Sequence, residues 1–308
     1  MKTRERKNRI KGILDTIIKV LLVLFLVLLL ISILKVLLDC RYIRPHTTIV
    51  DQTGYLPDEE DWEIIPDTIA PYDDNDLDSL PKSVSLEKYF PPIGNQGSYG
   101  TCVAWAAGYN LNTALNAIKN HWTPDQLKDP SNQTSPKDLW MGISSGQKGQ
   151  FCTGTNFEPT FSVLINDGVA SMKEVPYRNL GSCNGQFVGD QSNKLALYRH
   201  VISASGAGPS VKQMKAYLND TIPLVIAAHL GDQFMTWNNA DVIRTDTYLS
   251  PDAEHAFHAM ALTGYDDDKN AFRVRNSWGK DWGDNGSIWV DYDFFMNSFC
   301  TEVFMAKK

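Results

Sequence analysis

The chain has 308 residues, 43% of them hydrophobic and 21% charged, with a net charge of −7. That length can bury one large core or two modest ones, and the composition is that of an ordinary soluble protein. Charge falls in three blocks: residues 1–44 carry a net +7, residues 45–81 a net −11 and residues 82–308 a net −3. The last two blocks offer no basic face, which excludes nucleic acid as a partner for them.

The first element in chain order is a basic tail over residues 1–12, in which Lys2, Arg4, Arg6, Lys7, Arg9 and Lys11 oppose only Glu5. Residues 13–38 follow as a nearly continuous aliphatic run, within which Lys19 and Lys35 bracket the uncharged stretch Val20–Leu34. About 20 apolar residues cross a bilayer as a helix, and the flanking lysines can snorkel to the headgroups. This segment is expected to be an uncleaved signal anchor. The positive-inside rule then leaves the amino terminus in the cytoplasm and exports everything after Cys40, so the chain would be a single-pass membrane protein. A cleaved signal peptide is the competing reading, but no small-x-small site follows the run. Lipidation at Cys40 is a third, which the acidic Asp39 before it fits badly.

Residues 39–81 form an acidic, proline-interrupted stretch with Pro57, Pro66, Pro71 and the cluster Asp73, Asp74, Asp76 and Asp78. Such composition reads as an extended linker. Tyr55, Trp62, Ile64, Ile65, Ile69 and Tyr72 are more than a solvated spacer needs, so part of it is expected to strap onto the following domain. A pro-segment over an active-site cleft is the rarer alternative.

From residue 82 to 308 the pattern is that of one globular unit. Apolar residues recur at helical spacing from Val103 to Ile118, with Thr101 as the expected cap, Cys102 at the start and Asn120 at the end. Ser135 caps a second expected helix, and a third covers Glu158 to Asn166. The later half reads as strands over Ile222–His229, Ala259–Gly264, Phe272–Arg275 and Ser287–Tyr292, with a short helix at Val211–Leu218. Helices followed by strands imply an α+β fold in two lobes.

Acyl transfer by a thiol needs a deprotonated sulfur, a proton shuttle and donors aimed at the developing oxyanion. Cys102, at the expected start of a helix, is placed where backbone N–H groups and the helix dipole favour thiolate. The stretch Gly94-Asn95-Gln96-Gly97-Ser98-Tyr99-Gly100-Thr101-Cys102, the strand His258-Ala259-Met260-Ala261-Leu262-Thr263-Gly264-Tyr265, and the run from Asn276-Ser277-Trp278-Gly279 to Trp282-Gly283 together resemble the papain-like cysteine peptidases. The order Cys, His, Asn is that family's, with separations of 156 and 18 residues; the first slightly exceeds the usual spacing. The resemblance covers residues from about 82 to 305 and is weak between Asn120 and Phe151.

The resemblance implies a two-lobed fold, with a helical lobe, an antiparallel barrel-like lobe and a cleft between them. It also implies a role for each site residue. Cys102 would be the nucleophile and His258 its base, paired with it as ions. Asn276 would orient the imidazole, and Gln96 would donate to the oxyanion. Trp278 would cover the His258–Asn276 hydrogen bond, with Trp282 in the same cluster. Substrate backbone would bind near Gly154 and Thr155. An apolar pocket near Ala256, Ala259 and Met305 would select a hydrophobic side chain two residues before the scissile bond.

Departures are Tyr99 and Val103, where relatives carry a disulfide cysteine and a tryptophan, and Phe257 in place of a commonly polar residue before the histidine. A family propeptide is not recognisable. Of the remaining cysteines, Cys152 and Cys183 are expected to pair, and Cys300 to be a buried free thiol; none has zinc-like spacing, and no cofactor is expected. The function so implied is a monomeric cysteine endopeptidase acting on peptides or proteins through a thioester acyl-enzyme. The open alternatives are a transpeptidase or peptide ligase on the same site, a catalytically silent binding protein of the same fold, and a structural membrane protein with an inert exported domain.

Overall fold

The structure, a computed structural model, describes residues 19, 22, 53–56, 79–178, 180, 183–202, 210–247 and 257–308. The chain divides into two units, residues 1–47 and 48–308. Of the first, Lys19 and Leu22 are described; both are helical and exposed. Among the described residues no helix is long and apolar enough to cross a membrane. The expected anchor, Cys40, Ala256 and most of the acidic stretch lie outside the described residues.

In the second unit the first long helix begins at Cys102, as its spacing predicts. Its first part, Ala104–Asn112, winds as a π-helix, and α1, Thr113–Asn120, continues it in α form. Every residue from Ala104 to Asn112 is buried. A helix buried on all sides is held by packing rather than by propensity, and wide π-turns of this kind are enriched at functional sites. His121 ends the helix in the left-handed conformation, its backbone N–H donating to the last carbonyls. Thr101 does not fill its expected capping role, because its hydroxyl is hydrogen bonded to the Tyr177 phenol at 2.8 Å.

Beyond this helix, α2 (Pro136–Gly142) starts at Ser135, whose Oγ accepts from the Asp138 N–H at 3.1 Å. Next, α3 covers Phe157–Asn166. A disulfide joins Cys152 and Cys183 across the loops that follow these helices, with their Cα atoms 5.7 Å apart.

The strands form one eight-stranded sheet. They are β1 (Ser83–Ser85), β2 (Leu197–Ile202), β3 (Leu224–His229), β4 (Val242–Ile243), β5 (Phe257–Asp266), β6 (Ala271–Arg275), β7 (Ser287–Asp291) and β8 (Cys300–Lys307). Their order is β2-β8-β3-β5-β6-β7-β4, with β1 added to β5, and every pairing is antiparallel except β4 with β7. Central β5 is buried from His258 to Tyr265, which explains its unbroken small and apolar sequence. The fold is thus α+β, and α4 (Val211–Asn219) carries a Ser210–Gln213 capping box.

Arg275, the last residue of β6, ties the strands to the helical part. Its Nε donates to Asn110 Oδ1 at 3.2 Å, one terminal nitrogen to Glu87 Oε2 at 2.6 Å, and the other to the Pro91 carbonyl. A buried guanidinium with this set of partners fixes the backbone of the next residue, Asn276. Replacing Arg275 by Met would leave Asn110 and the Pro91 carbonyl without their donors and Glu87, whose side chain is 35% exposed, to water. We expect Arg275→Met to lose about 2–3 kcal/mol of unfolding free energy, below the usual range for breaking a fully buried pair because Glu87 can hydrate. Urea titration measures it, and a loss under about 0.5 kcal/mol would show that the network does not hold the two parts together.

Candidate active site

Cys102 and His258 are both fully buried. The sulfur lies where the backbone N–H groups of Ala259, Val103 and Cys102 itself point at it. Ala259 follows His258 directly, so β5 brings the backbone next to His258 to the helix start that carries the thiol. The His258 Nε2 is 2.7 Å from Asn276 Oδ1. The same oxygen accepts from the Ser277 N–H at 2.7 Å.

This second bond settles the proton on the ring. An atom that accepts from a backbone N–H must be the amide oxygen, so it can only accept from His258 as well. Neutral His258 therefore carries its proton on Nε2 and leaves Nδ1 bare. Nδ1 is buried and makes no hydrogen bond. Trp278 packs at a tilt against the imidazole with ring centroids 4.7 Å apart, and Trp282 meets Trp278 edge-on at 5.4 Å. Phe234 touches both indoles and accepts the Trp282 indole N–H on its carbonyl at 3.2 Å. This apolar cluster keeps water from the His258–Asn276 bond, which low dielectric strengthens.

Gln96 stands six residues before Cys102. Its backbone N–H donates to the Ser277 carbonyl at 2.8 Å, and its Oε1 accepts from Ser277 Oγ at 2.6 Å. The Tyr99 carbonyl, 2.8 Å away, can only accept, so the Gln96 amide atom facing it is the donor Nε2 and Oε1 is the atom that takes the Ser277 hydroxyl. Tyr177 donates its hydroxyl to the Gln96 carbonyl at 2.9 Å, which holds the segment before Cys102. Ser277 and Tyr177 were not assigned roles from sequence; the position of Ser277 beside Asn276 was the available signal.

The charges differ from the expected ion pair. Burial pushes the Cys102 thiol up to about 12, against the opposing pull of the three backbone N–H groups. Burial likewise pushes His258 down to about 4, with the Asn276 hydrogen bond acting the other way. In this closed arrangement the thiol and the imidazole are both neutral, since desolvation disfavours either charge more than a helix terminus or an amide restores it.

Part of the acidic stretch packs near this region. Residues 53–56 lie against Gly100 and Thr155. Leu56 donates its N–H to the Thr155 carbonyl at 3.0 Å, and the Thr155 N–H donates to the Gly54 carbonyl at 2.9 Å, with Tyr55 and Thr155 in a parallel bridge. Gly54 has φ +146°, and a Cβ there would meet Gly100 backbone at 2.4 Å; a Cβ on Gly154 would lie 2.0 Å from the Gly54 carbonyl oxygen. Only glycines allow this approach of backbones. Gly154 and Thr155, the expected substrate-backbone positions, thus hold a segment of this same chain.

Of the expected pocket residues, Ala259 is buried in β5 beside the thiol and Ala256 lies outside the described residues. Met305 is buried and pairs with Leu224 and Arg199 in the sheet. Side chains alternate along a strand, so Met305 faces away from Glu302 and Phe304, which contact Tyr55 or the rings beside it. Glu302, absent from the sequence reading, is the residue β8 contributes on this side.

A buried neutral histidine makes stability depend on pH. The unfolded chain binds a proton at His258 below about 6.5, while the folded one resists it until about 4. Stability from this group is complete above 6.5 and is lost as pH falls toward 4, by up to about 3 kcal/mol. The loss in wild type beyond that of a His258→Phe variant, from denaturant midpoints at pH 7 and pH 4.5, measures it; equal losses in both would contradict the neutral assignment.

The geometry agrees with what related proteins show. The family model described as papain family cysteine protease matches residues 80–302. Zingipain-2 of Zingiber officinale is 27% identical over 217 residues, 68% of this chain and 87% of that protein. Cathepsin B-like CP1 of Giardia intestinalis is 25% identical over 68% of each chain, and cathepsin L 2 of Paramecium tetraurelia is 24% identical, with this chain spanning 55% of it. Among solved structures, xylellain, a cysteine protease from Xylella fastidiosa, superposes with a TM-score of 0.65 at 22% identity, over 86% of this chain and 99% of that one. With the family model covering most of the chain and the fold shared with solved members, the protein belongs to the papain family of cysteine proteases, hydrolases of peptide bonds.

Proposed function

We propose that this protein is an exported, membrane-anchored cysteine endopeptidase in which Cys102 attacks the scissile carbonyl and His258 moves the proton. The observation that carries the reading is the bare, buried Nδ1 of His258, its tautomer fixed through Asn276, on the residue whose neighbour Ala259 directs its N–H at the thiol of Cys102. Nδ1 accepts the thiol proton as the sulfur attacks, then returns it to the leaving amine; in deacylation it takes a proton from water. Asn276 holds the ring and the tautomer, and the Cys102 N–H and Gln96 amide are the donors for the oxyanion. The neutral pair of the closed arrangement becomes reactive when displacement of residues 53–56 admits substrate and water.

Anchoring is supported by the aliphatic run of residues 13–38 and the basic residues before it. Peptides and proteins outside the cytoplasm are the substrates this placement implies, and the catalytic unit, with its single thiol–imidazole pair, acts as a monomer.

Cys102→Ala should abolish both peptide cleavage and mass-mapped labelling by an epoxysuccinyl electrophile, while His258→Gln should lower kcat by about 10²–10⁴. Labelling at Cys300 in place of Cys102, or an unlabelled wild type, would contradict the assignment; an excess of ligated over hydrolysed product with added amine would favour a ligase. For topology, a membrane-impermeant amine reagent applied to intact cells should modify lysines within residues 82–308 and spare those of residues 1–12, and the reverse pattern would contradict export.

A further inference from the structure

We propose that Tyr177 is a positioning residue for the oxyanion donors: its hydroxyl ties Gln96 to Thr101 and so sets the spacing between the Gln96 amide and the Cys102 N–H. The proposal rests on the peptidase reading above for what the two donors serve, and on the contacts of Tyr177 for what holds them.

The donors lie at opposite ends of one short segment. Gln96 begins it and Cys102 ends it, with Gly97 at φ +66° and Gly100 between them. Two glycines in so short a stretch leave much backbone freedom to be lost on folding, so the spacing needs ties from outside the segment. Tyr99 stands where relatives carry a disulfide cysteine, and the Cys152–Cys183 disulfide of this chain does not reach it.

Tyr177 supplies a tie of another kind. Its hydroxyl donates to the Gln96 carbonyl at 2.9 Å and lies 2.8 Å from Thr101 Oγ1. A phenol has one hydrogen and a carbonyl can only accept, so the Thr101 hydroxyl is the donor in the second contact. One oxygen thereby joins both ends: Gln96 carries the first donor on its side chain, and Thr101 immediately precedes the residue that carries the second. Within the segment the Tyr99 carbonyl takes a Gln96 Nε2 hydrogen and the Thr101 N–H, each at 2.8 Å, which closes the loop on itself.

The phenol is itself held in place. Trp105, one turn into the helix that begins at Cys102, meets its ring edge-on at 4.8 Å, and Tyr99 does so at 6.5 Å. Two residues before Tyr177, the Val175 carbonyl accepts from the Ser135 hydroxyl at 2.6 Å, so the cap of α2 anchors the loop. Burial pushes the Tyr177 hydroxyl above its ordinary range, with the Thr101 bond acting the other way, and the hydroxyl keeps its proton at neutral pH. What the tie contributes is geometry in the transition state. An oxyanion donor is worth about 10²–10³ in kcat, and a misplacement of about 1 Å can forfeit much of it. Because the oxyanion forms after substrate has bound, the effect falls on kcat and not on KM.

The test uses the full chain with Tyr177→Phe, which keeps the ring and removes the hydroxyl. We expect kcat for a peptide substrate to fall about tenfold, with KM changed by less than about twofold. Alkylation of Cys102 by iodoacetamide, followed by mass mapping, forms no oxyanion, so its rate should stay within about twofold of wild type and show access to the thiol unchanged. In a Gln96→Ala background the same substitution should lower kcat by less than about threefold, since one of the donors it positions is gone. Thr101→Val breaks the other half of the bridge and should also lower kcat without slowing alkylation; it carries the test if urea titration shows Tyr177→Phe unfolded. Wild-type kcat in the folded variant, an equal loss with and without Gln96, or alkylation slowed as much as cleavage would overturn the proposal and leave the peptidase reading standing. A wild-type chain that cleaves no peptide would overturn that reading, and the proposal with it.

Discussion

One oxygen organises this site. Asn276 Oδ1 accepts from His258 Nε2 and from the Ser277 N–H, both at 2.7 Å, and so fixes which ring nitrogen is protonated. The position of that oxygen depends on Arg275, anchored by Glu87, Asn110 and the Pro91 carbonyl, and on the Asn276 N–H, which donates to the Gly286 carbonyl at 3.0 Å. Ser277 then links the asparagine to Gln96, so His258 and Gln96 are set by one continuous network. Removing a member changes geometry at the thiol even where it touches no substrate.

Burial sets the chemistry of the same residues in the opposite sense from their hydrogen bonds. The helix start and the Ala259 N–H favour a thiolate, yet enclosure holds the thiol neutral, and the imidazole with it. A site of this kind is reactive in proportion to how readily it opens. Residues 53–56 lie against Gly100 and Thr155, with the Tyr55 hydroxyl donating to Glu302.

Much of the fold was legible because packing follows pattern. The helix from Cys102 to Asn120, the helix capped at Ser135 and the run of β5 each have a hydrophobic period that admits one secondary structure. The edge strands β1, β2 and β4 and the terminal β8 were not read, since short or mixed segments acquire their strand form from a neighbour's hydrogen bonds. Cys102, His258, Asn276, Gln96 and both tryptophans lie in motifs with fixed local spacing, and the structure brings them together. Arg275 and Glu302 carry no motif: each matters through partners 188 and 247 residues away in sequence, Glu87 and Tyr55 respectively. Met305 was named for the pocket because strand alternation in β8 needs a register that sequence does not supply.

The central claim is the protonation of His258, and nitrogen NMR of the histidine-labelled full chain tests it most directly. The account predicts a neutral imidazole at pH 7 with its hydrogen on Nε2, staying neutral until the pH approaches about 4. A doubly protonated ring at pH 7, or a hydrogen found on Nδ1, would contradict it.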